Sequence, residues 1–259
     1  MRLMKRILGT VTVLALSVSL LAGCGSTAAS PVSSAASTAA ESTTSSVVSE
    51  TTSAAADENV AAAAQLLNDL TGSYQELWPV ILADEYQQTW LDDCTALVGE
   101  ENAEAAFEKL SSMVTSDVYG EDAVKAYANG GGTYFCGFTN DLATLTFDGE
   151  TSTISGTDKD GNVLFSHTYH YIGMEPVHGL YEFESDDADS GEFTYFFLAP
   201  DTSAETYHIE FRYGSDAYAL SQYDAGDYAY WLASGISTDC DQTMIDNCIE
   251  LFCTENLAG

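Results

Sequence analysis

Residues Thr206-Tyr207-His208-Ile209-Glu210-Phe211-Arg212-Tyr213 alternate polar and apolar side chains without a break. A period of two is the mark of a half-buried strand, so Thr206, His208, Glu210 and Arg212 share one face and Tyr207, Ile209, Phe211 and Tyr213 the other. Upstream, further extended segments recur at close spacing: Leu142 to Phe147, the surroundings of Ile154, Val163 to Ile172, Leu180 to Phe183 and Phe193 to Leu198. Asp148-Gly149 and Asp160-Gly161 fall between them as hairpin dipeptides. At least six short strands, all fit for antiparallel pairing, predict a β-rich (α+β) chain whose sheet closes into a barrel or curls strongly.

The first half of the folded region reads as helix. Val60, Ala63, Ala64, Leu66 and Leu67 recur near a 3.6-residue period within Glu58 to Leu70. Short helices are then predicted over Tyr74–Leu82, Glu85–Leu97, Glu101–Met113 and Glu121–Asn129, the last stopped by Gly130-Gly131-Gly132. A C-terminal helix over Asp239–Glu255 carries Met244, Ile245, Cys248, Ile249 and Phe252 on one stripe. No internal repeat is present, and residues 58–259 suit one domain.

The chain has 259 residues, with 40 Asp and Glu against 7 Lys and Arg, a formal charge of −33. Three of the seven bases (Arg2, Lys5, Arg6) precede Cys24, so the rest of the chain sets Lys109, Lys125, Lys159 and Arg212 against all the acids. Such a surface repels nucleic-acid phosphates and draws cations. An apolar content of 46%, with 15 Tyr and 11 Phe, excludes a wholly disordered acidic chain.

Residues 1–23 join a basic start to an apolar run from Ile7 to Leu21, too short to span a bilayer as a helix. The run ends in Leu21-Ala22-Gly23-Cys24, which resembles the bacterial lipobox. The resemblance implies cleavage before Cys24, acylation of that residue, and a lipid-anchored protein outside the bacterial cytoplasm. Of the 33 residues from Gly25 to Asp57, 25 are Ser, Thr or Ala and none is aromatic, so residues 24–57 are expected to form the lipidated cysteine and a flexible tether.

Beyond Cys24, the cysteines are Cys94, Cys136, Cys240, Cys248 and Cys253, an odd number. Cys240 and Cys248 would stand about 12 Å apart along a helix, and Cys248 with Cys253 is a poor intrahelical pair, so any disulfide involves Cys94 or Cys136. Cys136 and Cys248 read as small buried hydrophobes. No Cys-x-x-Cys spacing suggests a thiolate zinc cage.

Four histidines, His167, His170, His178 and His208, are candidate ligands or bases. His167 and His170 point to opposite faces of one strand and cannot share an ion. His208 sits on the polar face with Glu210. No Gly-x-Ser-x-Gly elbow, His-Glu-x-x-His helix or phosphate loop occurs, and a non-enzymatic protein is expected. Asp158-Lys159-Asp160-Gly161 and Asp186-Asp187-Ala188-Asp189 lack the full calcium-loop pattern and read as a hairpin turn and a solvated loop.

Two stretches carry a family resemblance. Leu67-Asn68-Asp69-Leu70-Thr71-Gly72-Ser73-Tyr74-Gln75-Glu76-Leu77-Trp78-Pro79 and Tyr134-Phe135-Cys136-Gly137-Phe138-Thr139-Asn140-Asp141-Leu142 resemble two motifs of the ZinT (YodA) family of exported zinc-binding proteins. The resemblance extends in pattern over roughly residues 66–255. It implies a lipocalin-like (calycin) antiparallel barrel with an N-terminal helical portion and a C-terminal helix. It also implies a bound divalent metal, zinc first, sequestered or passed to a metal-uptake ABC transporter.

In that family a His-x-His pair lies on a strand, and Thr206-Tyr207-His208-Ile209 resembles it with Thr206 in place of the first histidine. The upstream histidine falls near Leu198-Ala199-Pro200-Asp201, leaving Asp201 as ligand, and no histidine lies between Cys24 and Tyr134. The implied site is His208 and Asp201 with one more donor from Glu210, Glu205 or His178. Such a mixed nitrogen and oxygen shell would also admit manganese or cobalt and would weaken as pH falls. The competing reading is a metal-free barrel that binds a small molecule or peptide among Tyr169, Tyr171, Tyr181, Phe183, Tyr195 and Phe197; a hydrolase built on His208 with Glu210 or Asp201 lacks a nucleophile.

Overall fold

A computed structural model describes residues 47–200 and 208–258, with side chains from Glu58. The chain divides into two units, Met1–Ala61 and Ala62–Gly259. In the first, the described part is the start of helix α1 (Val47–Asp69), which begins inside the segment expected to be a tether. Ala54-Ala55-Ala56 and the acids that follow are good helix formers, which composition alone had classed with the Ser and Thr around them. Cys24 lies outside the described residues. No helix among the described residues is long and apolar enough to cross a membrane.

The second unit is built on eight strands in sequence order: β1 (Gly72–Glu76), β2 (Thr144–Asp148), β3 (Thr153–Thr157), β4 (Val163–Met174), β5 (Tyr181–Ser185), β6 (Tyr195–Leu198), β7 (His208–Gly214) and β8 (Ala233–Ser237). Each pairs antiparallel with the next, and β1 pairs with β8 through Tyr74 opposite Ser237 and Glu76 opposite Gly235, closing the barrel. This is the lipocalin-like barrel with flanking helices that the alternating segments and the family resemblance predict.

Helices α2 (Leu77–Ile81), α3 (Gln87–Val98), α4 (Glu100–Ser112) and α5 (Glu121–Ala128) lie between β1 and β2. The short α6 (Ala217–Leu220) interrupts the connection from β7 to β8, and α7 (Gln242–Leu257) follows β8. Asp241 caps α7 by accepting the Met244 N–H at 3.0 Å.

The predicted helix over Tyr74–Leu82 is corrected by the structure: its first part is β1, and only Leu77–Ile81 is helical. Gly72-Ser73-Tyr74-Gln75-Glu76 has too little apolar alternation to read as a strand, yet it supplies ladder partners to both β2 and β8. Tertiary pairing overrides local pattern here. Strand β8 escapes prediction for a related reason. Ala233-Ser234-Gly235-Ile236-Ser237 is kept small by its neighbours, since a Cβ at Gly235 would stand 3.0 Å from the Ile209 side chain.

Two cores result. Alternate residues Leu145, Phe147, Ile154, Phe165, Tyr169, Phe183, Phe196, Ile209, Phe211 and Tyr213 fill the barrel interior, and all are buried. Their rings meet closely, with Phe196 against Tyr213 at 5.4 Å and against Tyr169 at 5.4 Å between centroids. Phe197 lies opposite Arg212, on the face away from Phe196, so it and Tyr195 belong to the outer wall rather than to an inner pocket. Phe196 and Leu198 take the inward positions. The second core joins α2, α3, α4 and α7 to the outer face of β8 through Trp78, Ile81, Trp90, Cys94, Leu110, Ile236 and Ile249. Trp90 is wholly buried, and its indole N–H reaches the Ile81 carbonyl at 2.7 Å, which satisfies the one polar atom that burial would otherwise penalise.

Candidate functional site

The two motif stretches are structural parts of the barrel. In the first, Tyr74 stands edge-on to Phe147 at 5.8 Å, and the Thr71 hydroxyl accepts the Gly149 N–H at 3.0 Å, tying the start of β1 to the β2–β3 turn. In the second, Asn140 and Asp141 hold φ of 56° and 60°, a left-handed bend that Asn and Asp tolerate better than most residues. Around that bend Glu76 accepts the Phe138 N–H at 2.6 Å, and Trp231 donates to the Gly137 carbonyl at 2.9 Å. The Tyr213 hydroxyl accepts the Thr139 N–H at 2.6 Å and donates to its carbonyl at 2.9 Å. Strands β1 and β7 thereby fix the segment that leads into β2.

His208 is the first residue of β7, opposite Ile236, and is half-buried. Ile209, Phe211 and Tyr213 point into the barrel, so His208, Glu210 and Arg212 share its outer wall, as the alternation predicts. Glu210 is half-buried and lies near the thiols of Cys136 and Cys248, which burial first and the Glu210 charge second push up to about 12. Both cysteines are buried, as expected of small hydrophobes. His208 and Glu210 each have interaction partners. Asp201, Glu205 and Thr206 lie outside the described residues.

Among the described residues, no three of His, Cys, Asp and Glu come together as a metal-ligating group. His208, Glu210 and His178 therefore do not form a shell by themselves.

The other histidines have carboxylate partners. His167 Nδ1 lies 2.7 Å from Asp187 and His170 Nδ1 lies 2.8 Å from Asp186, each on its own face of β4. His170 Nε2 is also 3.9 Å from Glu184. The acidic segment expected to be a solvated loop thus supplies both counter-groups. Asp158 accepts the Asp160 and Asn162 N–H groups at 2.9 and 2.8 Å, confirming a turn at that position.

A buried polar constellation on the outer wall escapes sequence reading. Arg212 is wholly buried and donates to the carbonyls of Leu220, Gln222 and Tyr228, all in the β7–β8 connection. Its guanidinium lies over Tyr223, whose other neighbour is the His178 ring at 3.7 Å. His178 Nδ1 is 3.5 Å from Glu175, itself fully buried and accepting the Val177 and His178 N–H groups at 2.9 and 2.6 Å. Burial pulls the Arg212 guanidinium below its ordinary value, and Tyr223 opposes the shift. Arginine remains charged through such a change. The only signal available beforehand was a lone Arg in a strand of an otherwise acid-rich domain.

No protein-family model matches the chain, and no curated protein matches it in sequence. Among solved structures, the chain is similar to the Zn(II)-bound ZinT-like domain of Streptococcus pneumoniae AdcA, with 15% identity, a TM-score of 0.45 and coverage of 71% of this chain and 89% of that one. It is also similar to Zn(II)-bound AdcA from the same organism, at 14% identity and a TM-score of 0.42, covering 72% of this chain and 35% of that one. Neither likeness is close enough to bear on ligands.

Proposed function

We propose that this protein binds a divalent metal, zinc by preference, outside the cytoplasm while held to the membrane through an acylated Cys24. Its binding supports sequestration of the ion or its delivery to a metal-uptake transporter. One observation carries the reading: His208 opens β7 on the outer wall, half-buried, with Glu210 on the same face and residues 201–207, including Asp201 and Glu205, directly before it. An imidazole flanked by carboxylates suits a mixed nitrogen and oxygen shell. The two ZinT-like stretches support the same reading, and the strongly acidic surface raises the local cation concentration. Zinc held there would be cargo, and no catalytic role is proposed.

Zinc titration of the full chain near neutral pH, against a competing chelator, tests the reading. Near-stoichiometric binding is expected, with His208→Ala and Asp201→Ala each weakening it at least about tenfold. Equal, negligible uptake by all three proteins would overturn it. Membrane attachment is tested separately: Cys24→Ser should move the protein from the membrane fraction to the soluble one.

A further inference from the structure

Cys94 on α3 and Cys253 on α7 bring their sulfurs to 3.9 Å, and both side chains are wholly buried. The two helices pack along one another in the second core, with Trp90 from α3 against Phe252 from α7 at 6.0 Å between ring centroids. By helix geometry any disulfide involves Cys94 or Cys136. The fold then selects the partner, because Cys136 and Cys248 lie near Glu210 on the barrel side, while Cys94 and Cys253 face each other between helices. A disulfide has a sulfur–sulfur distance of about 2.05 Å, and the fold already brings the two sulfurs to within about 2 Å of that.

We propose that Cys94 and Cys253 are joined by a disulfide when the chain folds in contact with an external disulfide, either a small molecule or an oxidised protein dithiol. The thiolate of one cysteine attacks the donor disulfide, forming a mixed disulfide and releasing one donor thiolate. The second protein thiolate then attacks the mixed disulfide at the protein sulfur and releases the other half of the donor. The two protein thiols lose two protons and two electrons, and the donor disulfide is reduced to two thiols.

Burial pushes both thiols above their ordinary value in the folded chain, Cys253 strongly, and keeps them from outside reagents. The exchange therefore belongs to folding, before α7 has seated on α3. Cys136, Cys240 and Cys248 remain thiols. The staple fastens the C-terminal helix, which follows β8, to the helices that follow β1, and so reinforces the same seam that closes the barrel. It is independent of the metal reading.

The test is to unfold and reduce the full-length chain, refold it in a mixture of reduced and oxidised glutathione, block free thiols with a maleimide in denaturant, and map peptides without reduction. One cross-linked pair is expected, joining the peptides that contain Cys94 and Cys253, and it should persist in Cys136→Ser. Complete labelling of both cysteines before reduction, or linkage of either to a different cysteine, would overturn the proposal. Because the mapping reads the wild-type chain, the result does not depend on a variant's ability to fold.

Discussion

The guanidinium of Arg212 lies 4.3 Å from the centroid of the Tyr223 ring, deep under the β7–β8 connection. A buried cation is costly unless it is hydrogen-bonded, and three main-chain carbonyls of that connection accept from the two terminal guanidinium nitrogens. Arg212→Met should destabilise the domain by about 3–5 kcal/mol, since it strands those acceptors as well as removing the charge. Tyr223→Leu keeps the carbonyl contacts and loses the aromatic face, for a cost of about 1–2 kcal/mol. Urea unfolding followed by tryptophan fluorescence would rank the two. Equal effects would mean that the ring, not the carbonyl cage, holds the cation.

Gly149 and Gly161 both sit in hairpin connections, for different reasons. A Cβ at Gly149 would stand 2.4 Å from the Asn68 backbone, whereas Gly161 has φ of +82° and open space around it. Gly149→Ala should therefore cost about 2 kcal/mol or more by forcing α1 away from the turn, and Gly161→Ala about 1 kcal/mol through backbone strain alone. Asn at position 161 should recover part of that loss, because Asn tolerates the left-handed region. Thermal unfolding of the three variants distinguishes a steric requirement from a conformational one.

The buried tyrosines make alkali a denaturant of this fold. Burial pushes Tyr74 up to about 12 and Tyr169 and Tyr213 further still. A phenol whose folded value is raised contributes stability that is complete below its unfolded value near 10 and is lost as pH rises through the folded value. Tyrosinate absorbance and circular dichroism, recorded together, should change in one step above pH 10 for these residues. Full ionisation with the dichroism intact would contradict their burial.

At the acid end the hairpin carrying Asp158 should report first on itself. Hydrogen bonds from the Asn162 side chain and main chain hold the Asp158 carboxyl below its ordinary value. Stability from this group is present above the ordinary carboxylate range and is lost as pH falls through the lowered folded value. The Asp160 and Asn162 amide resonances should shift together below about pH 4, where an ordinary aspartate takes up its proton. Asp158→Ala should abolish that shift while leaving the remote amides of α7 in place.

Where side chains alternated, the sequence was informative. From His208 to Tyr213 the reading of β7 holds, with Ile209, Phe211 and Tyr213 inward and His208, Glu210 and Arg212 outward, while Thr206 and Tyr207 lie outside the described residues. The opposed faces of His167 and His170 were legible for the same reason, since the period of a strand is geometric and needs no tertiary knowledge. Strands β1 and β8 were illegible because neither is amphipathic; each exists as a ladder partner of strands distant in sequence. Of the candidate site, only the direction of His208 and Glu210 could be foreseen. The constellation of Glu175, His178, Arg212 and Tyr223 joins the β4–β5 connection, a strand and the β7–β8 connection, and no local pattern announces such a meeting.

Pairing of Gly72–Glu76 with Ala233–Ser237 has a consequence for biosynthesis. A nascent chain cannot complete the cylinder until its last strand has left the ribosome, and until then both lateral borders of the sheet stay open to wrong partners. Growth of the polypeptide and locking of the native state are thus separated in time. A termination anywhere before Ser237 would leave an aggregation-prone ribbon rather than a smaller version of the same protein.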